Sequence, residues 1–118
     1  MAARSIQRWV RQSPRKMRLV ADQIRGMDVN SAYGLLRYSK KRAAKQIEKV
    51  LRSAVANAEQ DALRENRAFD VDALVVRYAV VNEGPTLKRF TAAAHGRATP
   101  IRKRMSTIEI RLEARQED

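Results

Sequence analysis

Residues 84–105, GPTLKRFTAAAHGRATPIRKRM, decide how this chain is built. The stretch carries Lys88, Arg89, Arg97, Arg102, Lys103 and Arg104 and no Asp or Glu. Its large apolar side chains are Leu87, Phe90, Ile101 and Met105 alone. So few apolar groups cannot bury a core, and so many like charges resist folding back on themselves in water. A polyanion would neutralise them best. The segments on either side alternate as strands do, so the stretch reads as an arm of two extended legs. At about 3.3 Å per residue, a leg from Gly84 to a turn near 94–96 reaches roughly 35 Å beyond the core. Ala92, Ala93, Ala94, His95 and Gly96 keep the tip narrow, as insertion into a confined space requires. A lone two-stranded hairpin is marginal in water, so the arm is expected to be mobile alone and ordered on its partner. Arg102, Lys103 and Arg104 are consecutive and point to alternate sides of a strand, as a wedge between two RNA segments would need.

On the near side of the arm, residues 72–82 alternate. Leu74, Val76, Tyr78 and Val80 are expected on one face, and Val75, Arg77, Ala79 and Val81 on the other. On the far side, residues 106–114 place Ile108, Ile110 and Leu112 inward and Thr107, Glu109, Arg111 and Glu113 outward. Upstream lie three helical patterns. Ser13-Pro14 is a helix start, the serine as cap and the proline at the first helical position. Met17, Val20, Ala21 and Ile24 follow at helical spacing, and Gly26 supplies a left-handed end. Asp28 caps a short second helix striped by Val29, Ala32, Leu35 and Leu36, with Gly34 weakening it by about 1 kcal/mol against Ala. Packing is expected to hold it. Ser39 is expected to open the third helix, whose face runs Ala43, Ala44, Ile47, Val50, Leu51, Ala54, Val55, Ala58. Residues 60–70 read as a helix end and loop. At the start, residues 4–11 read as a short strand with Ile6, Arg8 and Val10 on one face and Gln7, Trp9 and Arg11 on the other. The order strand, three helices, strand, arm, strand predicts an α+β fold: three helices packed on a small antiparallel three-stranded sheet, with a long extended β-hairpin arm. Residues 1–118 are expected to form a single domain, with a globular core over 1–83 and 106–118 and the arm over 84–105.

The chain has 118 residues, a formal net charge of +12 and no cysteine. The charge speaks of partners rather than fold, with nucleic acid first and an anionic membrane surface second. A membrane reading needs a basic amphipathic helix or a lipid anchor, and no apolar run is long enough to span a bilayer. The start, MAARSIQRWVRQ, has no apolar stretch of the secretory kind. Without cysteine there is no disulfide framework and no Cys-ligated metal site.

A second basic cluster comprises Arg4, Arg8, Arg11, Arg15, Lys16 and Arg18 and holds no acid. Arg15 and Lys16 stand in the first turn of a helix, where the dipole disfavours cations. A bound phosphate would reverse that cost, which makes the break in the local rule a pointer to a phosphate site. The polar face of the third helix, with Lys41 and Lys45, is a third basic patch. His95 is the only histidine, and with no cysteine or acid cluster it forms no metal site. Ser13 reads as a cap rather than a nucleophile, since no base accompanies it. Asp70 and Asp72 read as loop and strand-edge acids. Trp9, Tyr33, Tyr38 and Phe69 read as core or rim rather than as stacking platforms. Phe90 sits inside the basic arm and is open to base stacking or to packing at the arm's base. No cofactor is expected. No phosphate-cradling loop, metal cluster or triad supports an enzyme.

Four motifs in register resemble the L-twenty-two family of large-subunit ribosomal proteins: SPRKMRLVADQIRG at 13–26, SAVANAE at 53–59, NEGPTLKRF at 82–90, and GRA at 96–98 with IRKRMS at 101–106. The resemblance implies a small α+β domain on the surface of the large subunit. It also implies binding to large-subunit ribosomal RNA, neighbouring ribosomal proteins as further partners, support of assembly, and a cytoplasmic ribosomal location. It implies a hairpin that lines the peptide exit tunnel, near where macrolide antibiotics bind and close to the nascent peptide. By position, Ser13, Arg15, Lys16 and Arg18 match the family's helix start, and Lys88, Arg89, Arg97, Arg102, Lys103 and Arg104 its basic arm. The tip departs from the pattern: many family members carry Arg near Thr91, Ala93 and His95 and a basic or polar residue at Pro100, so this chain is expected to hold RNA less tightly there. Pro100 is also expected to interrupt strand pairing.

The expected function is therefore a structural constituent of the large ribosomal subunit, a monomer within it, with no catalysis and no membrane contact. About eight phosphate contacts predict a slope near −6 of log K against log salt. The rivals are a DNA-bending protein with a β-arm, which would be a dimer, and a free RNA chaperone.

Overall fold

The computed structural model of the chain describes residues 2–92, 96 and 98–114, and of residues 2, 89–92 and 99–102 the backbone alone. The elements run β1 (Ala2–Val10), α1 (Pro14–Ile24), α2 (Val29–Tyr38), α3 (Arg42–Arg64), a 3-10 turn (Val71–Ala73), β2 (Leu74–Glu83), β3 (Leu87–Ala92), β4 (Ala98–Lys103) and β5 (Ser106–Ala114). Strands β1, β5 and β2 form one antiparallel sheet in that order, and β3 pairs with β4 in a separate two-stranded ribbon. The α+β fold with three helices and an extended hairpin stands as the sequence predicts. The radius of gyration is 17.8 Å, where a compact chain of this length would have about 13.5 Å. The longest dimension is 66 Å against 27 and 21 Å across.

Strand β5 is central, so its inward residues are covered from both sides. Ile108, Ile110 and Leu112 are completely buried. Helix α1 lies over β2, α3 over β1 and β5, and α2 on α3. The seam is made by Met17, Val20 and Ile24 of α1, Val29 and Leu36 of α2, and Ile47, Val50 and Leu51 of α3. Each large aliphatic side chain so buried contributes about 1.5–3 kcal/mol. Alanines 43, 44, 54 and 58 are buried too, and their small size lets the long helix approach the sheet.

Caps follow the sequence in two helices and depart from it in the third. The Lys16 amide donates to Ser13 Oγ, and the Ser31 amide to Asp28 Oδ2, as expected. Gly26 takes φ +86° after α1, and its amide donates to Val76 O. With the return bond from Val76 N to Met27 O, the α1–α2 linker covers part of the β2 edge. Ser39 does not open α3. It ends α2, and its hydroxyl accepts from the Lys41 amide in a local turn. Helix α3 starts at Arg42 without a side-chain cap and continues through residues expected to be loop, as far as Arg64. Burial of Ala62 holds that extra turn against the body. Asn66, at φ +59°, then ends it: its amide donates to Leu63 O and that of Arg67 to Ala62 O, the two bonds of a Schellman cap.

Two bulges correct the strand faces read from the sequence. In β2 the pairing with β5 shifts by one residue between Val76 and Tyr78. Leu74 and Val76 therefore share the core face with Ala79 and Val81, while Tyr78 and Val80 turn away. In β1 the shift lies between Gln7 and Val10. Ala3, Ser5 and Val10 face inward, and Ile6 and Trp9 are exposed, so Ile6 and Val10 do not share a face. The ribbon keeps its register through Phe90 opposite Pro100, contrary to the expected interruption. A proline ring can occupy a pair that exchanges no hydrogen bond, its nitrogen on the open edge.

Candidate nucleic-acid interface

The fold sorts the charges. Glu109 and Glu113 on the outer face of the sheet hold Arg4, Arg111 and Arg77, and Arg111 also stacks over the Tyr78 ring at 4.6 Å. Asp22 holds Arg25, Glu48 holds Arg52, Asp61 holds Arg64 and Glu65 holds Arg67. The acids among these pairs are committed to the outer sheet face and to α1 and α3. One group of cations outside these pairs lies together where β1 turns into α1, α3 begins and the hairpin returns.

There, Arg11, Gln12, Ser13 and Lys16, Arg42, and Lys103 and Arg104 line a groove of about 440 Å³. Its lining holds five cations and no acid. Neither α1 nor α3 has an acid in its first turn, so both helices open beside positive side chains. The macrodipole makes that arrangement unfavourable by a few tenths of a kcal/mol per charge unless an anion lies between. Arg42 was missing from the sequence-predicted set. The signal was present in Lys40-Lys41-Arg42, a cation run at a helix start without acid, the same break in the rule that marked α1.

The hairpin is held at its root. Gly84 donates its amide to Met105 O at 2.8 Å, and a Cβ at Gly84 would lie 3.2 Å from that oxygen. Ser106, fully buried, donates its hydroxyl to Gln12 O at 2.6 Å. These bonds tie the hairpin's return to the turn that starts α1, which is why Lys103 and Arg104 share a groove with Arg11 and Lys16. A second groove of about 350 Å³ at the root is lined by Pro14, Glu83, Gly84, Thr86, Lys88, Arg104 and Met105.

The remaining predicted residues divide. Arg8 and Arg15 are exposed, one before and one after the turn that leads into α1, and Lys41 and Lys45 stand near Arg42 at the start of α3. Arg18 uses its Nε to donate to Val81 O at 3.0 Å and so ties α1 to β2. Arg4 is not brought to the cluster: its guanidinium lies 3.7 Å from Glu109, and Val10 is six residue steps further along the strand, about 20 Å. Ala93, Ala94, His95 and Arg97 lie outside the described residues, as do the side chains of Arg89, Phe90, Ala92 and Arg102. Gly96 has φ +72°. Away from the basic end, a groove of about 400 Å³ between α2 and α3 is lined by Tyr33, Tyr38, Glu48 and Arg52 among others. Burial holds the Tyr33 phenol above its ordinary pKa; Arg52 lowers it and Glu48 raises it. Among the described residues no group of three His, Cys, Asp or Glu could hold a metal ion, and no helix is long and apolar enough to cross a membrane.

A family model described as Ribosomal protein L22p/L17e matches residues 5–113. The chain is similar to the large ribosomal subunit protein uL22 of Magnetococcus marinus, with 54% identity over 108 residues, which is 92% of this chain and 91% of that protein. The family match spans most of the first strand, all three helices and both legs of the hairpin, and on that extent this chain belongs to the ribosomal protein L22p/L17e family.

Proposed function

We propose that this protein is a structural constituent of the large ribosomal subunit that binds ribosomal RNA through its basic end and inserted hairpin. Family membership supports the first part. The groove of Arg11, Lys16, Arg42, Lys103 and Arg104 is the single observation that supports the second. Its five cations come from three separate parts of the chain, and phosphates seated between two helix starts would relieve both the mutual repulsion and the dipole cost. Arg8, Arg15, Lys41 and Lys45 are exposed and close in the chain to these residues, and they add to the positive charge there. Phosphate contacts supply affinity there, and RNA shape together with the hairpin fixes position.

The chain acts as one domain: the core over 1–83 and 106–118 seats on the RNA, and the arm over 84–105 reaches inward to the wall of the exit tunnel. Residues 92–96 at the tip face the nascent peptide, and their small, weakly basic character makes that contact light. The protein is a monomer among neighbouring ribosomal proteins in the cytoplasm, and it has no catalytic role. Sucrose-gradient fractionation of the source cells after a high-salt wash tests the reading. Stoichiometric retention in the large-subunit peak is expected. Recovery of the protein mainly in the free fractions would overturn it.

A further inference from the structure

Trp9 occupies a backbone position that a bulky residue seldom adopts. It sits in the β1 bulge at φ +67°, one of two non-glycine residues with positive φ among those described. The other, Asn66, closes a helix cap by standing there. A bulky side chain is disfavoured in the left-handed region. The bulge also changes what faces the core. Ala3 and Ser5 point inward, so an unbroken strand would send Trp9 inward as well. The extra residue puts Val10 there instead, 5% exposed, and leaves the indole 66% exposed at the open edge of the sheet. Bulges commonly re-aim a side chain in this way; burial of Val10 calls for the bulge but not for a tryptophan in it, and a strained bulky side chain left in solvent points to function.

The surroundings decide the partner. Arg8 and Arg11 flank Trp9 and are exposed, with no ion pair among the described residues. Arg11 and Gln12 are already part of the basic groove. An apolar protein surface would have to desolvate these guanidinium groups. An unpaired nucleotide offers an aromatic face for the indole and phosphates for the arginines on either side. We infer that Trp9 is a stacking platform for one unpaired base of the RNA that fills the groove. The inference rests on the RNA-binding reading above and adds to it the strand conformation recognised at this point.

Trp9 is the only tryptophan of the chain, so intrinsic fluorescence reports on it alone. The full chain is titrated with large-subunit ribosomal RNA at low salt, with binding followed by filter retention and emission recorded in parallel. Stacking quenches the emission as the complex forms. Trp9→Leu then weakens binding by roughly 5- to 150-fold, the loss of one stacked base, while Trp9→Phe keeps most of the affinity. Trp9→Gly raises the melting temperature of the free chain and weakens binding, two opposite changes that a purely structural role would not produce. Saturable binding with unchanged emission and an unaltered Trp9→Leu affinity overturns the stacking inference and leaves the RNA-binding reading in place. A Trp9→Leu chain that binds RNA like the wild type but fails to enter the large-subunit peak assigns Trp9 to a protein neighbour, and also overturns it. Failure of the wild-type chain to bind RNA at all defeats both readings.

Discussion

Replacing the five groove cations by glutamine (Arg11→Gln, Lys16→Gln, Arg42→Gln, Lys103→Gln and Arg104→Gln together) should flatten the salt dependence of RNA binding by a calculable amount. Each phosphate contact to single-strand-like RNA contributes about 0.7 to the slope of log K against log salt. Five contacts are therefore worth about 3.5, and the wild-type slope of about −5.6 for eight contacts falls to about −2.1. Between 50 and 200 mM salt the wild-type protein should lose roughly 2,500-fold in affinity, and the variant only roughly 20-fold. All five side chains are exposed, so their removal opens no cavity, and relief of their mutual repulsion should leave the melting temperature equal or slightly higher. The assay is filter binding or fluorescence anisotropy with large-subunit ribosomal RNA across that salt range. Arg64→Gln with Arg67→Gln serves as the control, since those guanidiniums already face Asp61 and Glu65. A slope unchanged in the groove variant, or reduced as much in the control, would refute the claim that the fold concentrates phosphate contacts at this end.

Three further outcomes follow from the geometry. Ser106→Ala leaves Gln12 O without its buried donor and should cost about 1–2 kcal/mol, seen as a fall of roughly 4–8 °C in the melting temperature; an unchanged midpoint would mean that water replaces the hydroxyl without loss. Gly34→Ala should stabilise the chain by about 0.5–1 kcal/mol in a denaturant titration, because a Cβ there meets nothing within 4 Å and α2 gains a better helix former; a loss of stability would show that the α2–α3 groove is tighter than its geometry. Joining residue 86 to residue 104 directly, without the hairpin, should leave the helical circular dichroism and cooperative melting intact, since β3 and β4 pair only with each other. The same variant should fall out of the large-subunit peak in a high-salt gradient, and a core that no longer folds would contradict the division into core and arm.

The starts of the first two helices and the central strand were legible because each depends on a few adjacent residues. Ser13 and Asp28 cap the helices that their neighbours form, and Ile108, Ile110 and Leu112 alternate without interruption. The strands carrying bulges were not legible. One inserted residue in β2 reverses which of Tyr78 and Ala79 is buried, and its place is set by pairing with β5, a strand that follows nearly thirty residues later. The end of α3 was misjudged for a similar reason: residues 60–64 are polar in composition, but Ala62 packs on the body and the Asn66 cap closes the helix beyond it.

Local sequence alone determined the class of the chain: three amphipathic helices, a small sheet, a hairpin that cannot bury a core, and an excess of positive charge seeking a polyanion. Those properties follow from periodicity, capping and Coulomb repulsion, which act between near neighbours or on the whole chain at once. Tertiary structure alone decided which cations stand together. Arg4 belongs by sequence to the first basic cluster but is drawn to Glu109 across the sheet, and Arg42, thirty residues from Arg11, joins it in one groove. Which charges are cancelled and which remain depends on distances of a few ångströms between segments far apart in the chain, and only packing sets those distances.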